Sequence, residues 1–206
     1  ARAPAARAEE QAMRGRVLIV AGSDSSGGAG LQADIKTVTA FGGYAATSVT
    51  ALTAQNTMGV FGVVGVEPAF IRQQMRLVLE DIGADAIKTG MLHTAAVIAA
   101  VAAEIAERAQ DVPLVVDPVM VAKGGHRLLD SDAVSALVRE LLPLALVVTP
   151  NLPEAEVLTD RKIASWDDAR DAAARIVEMG ARAVVIKGGH FDEEASSTDL
   201  LYDGRQ

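Results

Sequence analysis

The chain contains no cysteine, which excludes a disulfide framework and any thiolate metal site. Histidine is scarce: His93, His126 and His190 are too scattered along the sequence to read as a metal cluster. Positive charge is short as well. Lys and Arg number 19 against 27 Asp and Glu, a formal net charge of −8, so nucleic acid, which needs a Lys/Arg-rich face, is not an expected partner. Long apolar runs are missing too. The longest, Ala95–Ala103, falls far short of the roughly 20 residues that cross a bilayer, and its alanines suit a buried helix. Neither a membrane span nor a secretory signal is expected, because the opening ARAPAARAEEQAMRGR carries Glu9 and Glu10 and no apolar segment. Residues 1–15 read as a frayed extension, with a natural start at Met13, and 16–206 as one domain with enough apolar residues for a sizeable core. A reducing cytoplasm is the expected setting.

What is present is an alternation of short β-branched runs with longer amphipathic stretches, the pattern of β-α units around a mostly parallel sheet and hence an α/β fold. Strands are expected at 17–21, 49–54, 60–66, 86–88, 114–117, 146–149 and 183–187. Helices are expected at 29–41, 69–81, 94–108, 132–141 and 166–179. The two strands within 44–66 suggest a small flap. In such sheets the carboxyl ends of the parallel strands carry the ligand loops. Polar and glycine residues gather just there: GSDSSGGAG (22–30), TGML (89–92), DPVM (117–120), TPNLPE (149–154) and KGGH (187–190).

The first of these loops has many backbone N–H groups ahead of a helix, which suits an oxyanion or another polar ligand; the alternative is a merely tight strand-helix turn. It is not a Walker A loop, because Gly27 is followed by Gly28 and Ala29 rather than Lys and Ser/Thr. Gly28–Ala33 does match the dinucleotide fingerprint G-x-G-x-x-A. However, from Ile35 to Val66 there is no Asp or Glu to hold a ribose, which argues against a nicotinamide or flavin dinucleotide. Asp34, on the helix behind the loop, either faces a ligand or is an exposed surface carboxylate.

Taken together and in order, AGSDSSGGAGLQADIKT, TALTAQNTMGV, KTGML, DPVM, TPNLPEA and KGGH resemble the hydroxymethylpyrimidine/phosphomethylpyrimidine kinases over about Arg16 to Tyr202. TAQNT separates that branch from the related pyridoxal kinases. The resemblance implies a ribokinase-like, three-layer α/β/α fold with a mostly parallel central sheet. It also implies ATP-dependent, Mg²⁺-dependent phosphorylation of 4-amino-5-hydroxymethyl-2-methylpyrimidine and then of its monophosphate, in thiamine biosynthesis, by a homodimer. On the acceptor side it implies that Gln55 reads the pyrimidine, since a carboxamide pairs with a ring nitrogen and an exocyclic amine at once. Gly22, Ala29 and Asp34 would contact the substrate from the first loop, with Met91 packed on the ring as a polarizable lid and Val119 beside it. On the nucleotide side it implies Asn151 and Glu154 organising magnesium through water and holding the phosphates, with Lys187, Gly188 and Gly189 approaching the ATP phosphates. Asp117 is a further metal candidate and, with Lys123, an orienter of phosphoryl groups. His190 is read as a surface loop residue. Asn151 also fits a plain helix cap, Gln55 an exposed strand end, and Met91 a core position.

The family completes its site with a later GTGC-type segment. No such motif occurs before Gln206, so the catalytic base is left unassigned and a C-terminal part is expected to be missing. Phosphoryl transfer relies on positioning and charge neutralisation. The alternatives are therefore a pyridoxal kinase of the same superfamily and a non-catalytic pyrimidine-binding protein.

Overall fold

The computed structural model describes residues 15–120, 131–188 and 198–205. The chain opens with strand β1 (Arg16–Asp24), helix α1 (Gly30–Ala40), strands β2 (Tyr44–Asn56) and β3 (Gly59–Gly65), helix α2 (Pro68–Asp81) and strand β4 (Ala86–Thr89). It continues through helix α3 (Ala95–Arg108), strand β5 (Leu114–Val116), the short helix α4 (Ser131–Ala136), two tighter and looser helical turns over 137–144, and strand β6 (Val147–Val148). Helices α5 (Leu152–Thr159) and α6 (Trp166–Glu178) and strands β7 (Ala183–Ile186) and β8 (Leu200–Tyr202) complete it.

All strands join one eight-stranded sheet in the order β3-β2-β1-β4-β5-β6-β7-β8. Its centre is parallel; only the outer pairs β2/β3 and β7/β8 run antiparallel. The alternation along β1 shows why the sheet is covered on both sides. Ile19 and Ala21 pack with Leu31 of α1, while Leu18 and Val20 join a core with Ile71 and Met75 of α2 and Ile98 and Val101 of α3, all essentially inaccessible. A strand buried on both faces reads as an unbroken apolar run, as VLIVA does. The result is the three-layer α/β/α arrangement that the family resemblance implies. Among the described residues no helix is long and apolar enough to cross a membrane.

Two elements, β2 and β8, differ from expectation for physical reasons, while α5 follows the helix-cap reading of Asn151. Strand β2 starts at Tyr44 rather than Val49, pairing Arg16 with Tyr44 through Val20 with Ser48. Its first half, rich in Ala, Thr and Ser, lacks the β-branched apolar signature because buried hydroxyls take over. Ser48 Oγ donates to the Ile71 carbonyl at 3.3 Å and Thr50 Oγ1 to that of Met91 at 2.6 Å. Helix α5 follows TPN directly, its start fixed by a capping box rather than by an apolar stripe. Strand β8 is three residues long and returns antiparallel to β7, too short for periodicity to show.

Candidate active site

The parallel strands β1, β4 and β5 end on the same side, and the hairpin β2–β3 extends past them. Together they enclose a cavity of about 450 Å³. Gly22, Ala29, Gln55, Met91 and Val119 line it, as do Asp24, Lys88 and Asp117. Five of the six acceptor-side residues expected from the resemblance are thus gathered in one place.

The turn after β1 organises this end, and it does so around its own carboxylate. Asp24 is 3% exposed and accepts from Ser26 N at 2.8 Å, Ser26 Oγ at 2.8 Å, Gly28 N at 3.0 Å and Ala29 N at 2.8 Å. Burial alone would push the carboxyl up; the hydrogen bonds from Ser26, Ala29 and Gly28 outweigh it and hold Asp24 below the usual carboxylate range. The N–H groups read from the sequence as a cradle for an external oxyanion are therefore largely spent on Asp24. The glycines serve close approach instead. Gly30 sits at φ +55°, and a Cβ there would run into the Gly22 carbonyl oxygen, while a Cβ on Gly22 would lie 2.6 Å from Met91 Cε. Gln32 locks the turn from helix α1, accepting from Asp24 N at 2.8 Å and donating to Ser23 Oγ at 2.7 Å.

The hairpin tip is tied to this turn. Ser25 Oγ donates to the Gln55 carbonyl at 2.8 Å and accepts from Gln55 N at 2.9 Å, and Thr53 Oγ1 donates to the Ser23 carbonyl at 3.0 Å. The backbone of Gln55 is thereby fixed while its half-buried carboxamide lines the cavity. Met91, 8% exposed, closes the opposite wall. Val119 is held at φ +39°, a conformation a β-branched residue rarely adopts. Asp34, by contrast, is not among the residues lining the cavity: its half-buried carboxylate accepts from Lys88 Nζ at 2.7 Å through Oδ2.

From Lys88 a row of alternating charges crosses the strand ends. Lys88 Nζ stands 3.9 Å from Asp117 Oδ2, and Lys187 Nζ donates to Asp117 Oδ1 at 3.1 Å. Beyond it, Asn151 caps α5: its Oδ1 accepts from Glu154 N at 2.9 Å, and Glu154 Oε2 accepts from Asn151 N at 2.9 Å. The other oxygen, Oε1, accepts from Met120 N at 3.2 Å. Glu154 is 4% exposed. Its burial, with Asp117 nearby, pushes the carboxyl above its usual range despite those bonds and Lys187. The expected capping role of Asn151 is thus present, and the pair stands beside Asp117 rather than in the cavity wall. At Gly188 the space a side chain would take is filled by the Thr198 carbonyl and the Trp166 ring, so its small size serves the protein's own packing. Gly189, Lys123 and His190 lie outside the described residues. Among those described, no three His, Asp or Glu side chains gather to hold a metal directly.

Sequence reasoning missed Asp24, Gln32 and Lys88. An Asp followed by Ser-Ser-Gly-Gly is a signal for a side chain that bonds its own turn; nothing local announces Lys88, whose partners are far away in sequence.

The sheet order, the helices on both faces and the polar site at the carboxyl ends define a ribokinase-like α/β fold. A family model described as phosphomethylpyrimidine kinase matches residues 24–206; the chain belongs to that family. It is 54% identical over 191 residues to the thiamine biosynthesis bifunctional protein ThiED of Geobacter sulfurreducens, covering 93% of this chain and 39% of that protein. To the hydroxymethylpyrimidine/phosphomethylpyrimidine kinase of Bacillus subtilis it is 49% identical over 195 residues, covering 92% of this chain and 69% of the relative. Among solved structures, phosphomethylpyrimidine kinase from Clostridium difficile aligns with TM-score 0.85 at 42% identity, covering 93% of this chain and 81% of that one. Pyridoxal kinase from Staphylococcus aureus, solved with AMP-PCP and pyridoxal, aligns with TM-score 0.82 at 38% identity, covering 92% and 68%.

Proposed function

We propose that this chain phosphorylates 4-amino-5-hydroxymethyl-2-methylpyrimidine, and then its monophosphate, at the expense of ATP in thiamine biosynthesis. The observation that carries the reading is the cavity itself. The carboxamide of Gln55, carried on a backbone fixed at the hairpin tip, shares with the Gly22–Ala29 turn and Met91 the lining of one cavity suited to a flat heterocycle. The charged row Lys88–Asp117–Lys187 leads out of it toward Asn151 and Glu154. ATP phosphates are assigned to Lys187 and the glycines after it. Magnesium is assigned to Asp117, Asn151 and Glu154 acting largely through water, a donor set of oxygens that suits this ion; when bound it neutralises phosphate charge. No base is assigned among the described residues.

A cytoplasmic homodimer is part of the same reading. The stretch from Phe41 to Val66 contains no charged residue, and the edge hairpin leaves Leu52, Phe61 and Val64 more than half exposed. Natural proteins seldom leave such an edge bare. Light scattering at micromolar concentration should give twice the chain mass.

The S. aureus enzyme makes pyridoxal the competing acceptor. ADP release with MgATP, measured for the purified protein with each alcohol in turn, decides: the reading expects the pyrimidine to be preferred, and a preference for pyridoxal contradicts it. Binding of the pyrimidine with no ADP formed would favour a non-catalytic binding protein.

A further inference from the structure

The two proposed transfers make opposite demands on charge. In the first, a neutral alcohol is the acceptor and must lose a proton. In the second, an already ionised phosphate oxygen of the monoester attacks the γ-phosphorus of ATP. A new P–O bond forms as the β–γ bridging P–O bond breaks, ADP leaves, and no proton has to be removed. The monoester carries close to two negative charges near neutral pH, and it must enter a cavity whose wall already holds the carboxylates of Asp24 and Asp117. A cation is needed there for the second acceptor and not for the first.

Among the described residues lining the cavity, Lys88 is the only Lys or Arg. Resting on the functional reading above, we propose that Lys88 holds the phosphate of the monophosphate acceptor and so determines specificity for the second transfer. Its ammonium has three donors. One goes to Asp34 at 2.7 Å, and Asp117 at 3.9 Å is beyond hydrogen-bond reach, leaving two donors for a ligand. Asp34 fixes the amine from α1. Gly90, just after β4, leaves the way into the cavity open: a Cβ there would lie 3.3 Å from Lys88 Nζ. The other nearby amines do not line the cavity: Lys36 bonds the Gly27 carbonyl, and Lys187 bonds Asp117 and is assigned above to the ATP phosphates.

The test compares kcat/KM for the monophosphate with kcat/KM for the alcohol, in the wild type, Lys88→Met and Lys88→Arg, with thermal unfolding as the check on folding. Lys88→Met lowers the monophosphate-to-alcohol ratio by roughly tenfold or more, chiefly through KM of the monophosphate, and Lys88→Arg restores it to within about threefold. Should the Met variant fail to fold, Lys88→Gln, which keeps a polar donor without the charge, carries the same comparison. A ratio unchanged in the uncharged variant, or both substrates losing equally, overturns the proposal and leaves Lys88 as a structural ion-pair member. Wild-type protein that uses the alcohol and not the monophosphate overturns this inference and the second transfer of the functional reading; protein that uses neither overturns the whole of that reading and this with it.

Discussion

The two ends of the site are held by different kinds of force. Around β1 and the hairpin, backbone N–H groups converge on Asp24, Gln32 ties the turn to α1, Ser25 and Thr53 stitch it to the hairpin, and Gly30 leaves room for the Gly22 carbonyl oxygen that a side chain would strike. Around β5–β7 the groups are side-chain charges, Asp117, Lys187 and Glu154, spaced along strand ends and anchored by a helix cap. The first end is shaped mainly by hydrogen bonding and the second by charge; in the proposed function the first takes the heterocycle and the second the ATP phosphates. An enzyme that moves a phosphoryl group between two such ligands needs that division, because shape selects the acceptor while electrostatics stabilises the transfer.

The comparison breaks most severely at Asp24. Asp24→Ala strands three backbone donors and is expected to cost about 3 kcal/mol of stability, read by denaturant unfolding, with acceptor binding lost alongside. Gly30→Ala should cost roughly 2 kcal/mol, from a left-handed backbone with a side chain and a clash with Gly22. Gln55→Ala sharpens the contrast: acceptor kcat/KM falls about tenfold or more while the melting temperature holds, since the hydrogen bonds of Gln55 to Ser25 run through its backbone. At the β5–β7 end, Asn151→Ala removes the cap of α5 for about 1 kcal/mol, a smaller loss of stability than at Asp24.

The same two ends should answer pH in opposite directions. Asp24 has a depressed folded pKa, so its contribution is present above the unfolded carboxylate range and is lost as pH falls through the folded value. Glu154 has a raised folded pKa, so its contribution is full below the unfolded range and is lost as pH rises through the folded value. Melting temperatures across pH 3 to 7, a span of roughly that width about the carboxylate range, should lose their acid-side slope in Asp24→Asn and flatten on the rising side in Glu154→Gln. If both variants flatten the same limb, the assignment of one carboxylate is wrong.

How much of this was legible in sequence depended on range. The β1 run VLIVA and the amphipathic α3 and α6 announced themselves because burial on both faces, or on one stripe, leaves a local pattern. The start of β2 did not, since Ser48 and Thr50 are buried through hydroxyl bonds to distant carbonyls. The cavity residues Gln55, Gly22 and Met91 were found through ordered motifs. Asp34 was read as facing a ligand or lying exposed; its bond to Lys88 was not foreseen, because the two are 54 positions apart and no spacing rule connects them. The glycine loop was misread in one respect: its donors were counted as open to a ligand, although the Asp two residues into the motif was placed to take them.

The position of the bound heterocycle decides between this site and any other. A crystal structure of the protein soaked with hydroxymethylpyrimidine should show the ring between the Gln55 carboxamide and Gly22, under Met91, with its alcohol directed toward Lys88 and Asp117. A ring found outside that cavity, with Gln55 untouched, would contradict it.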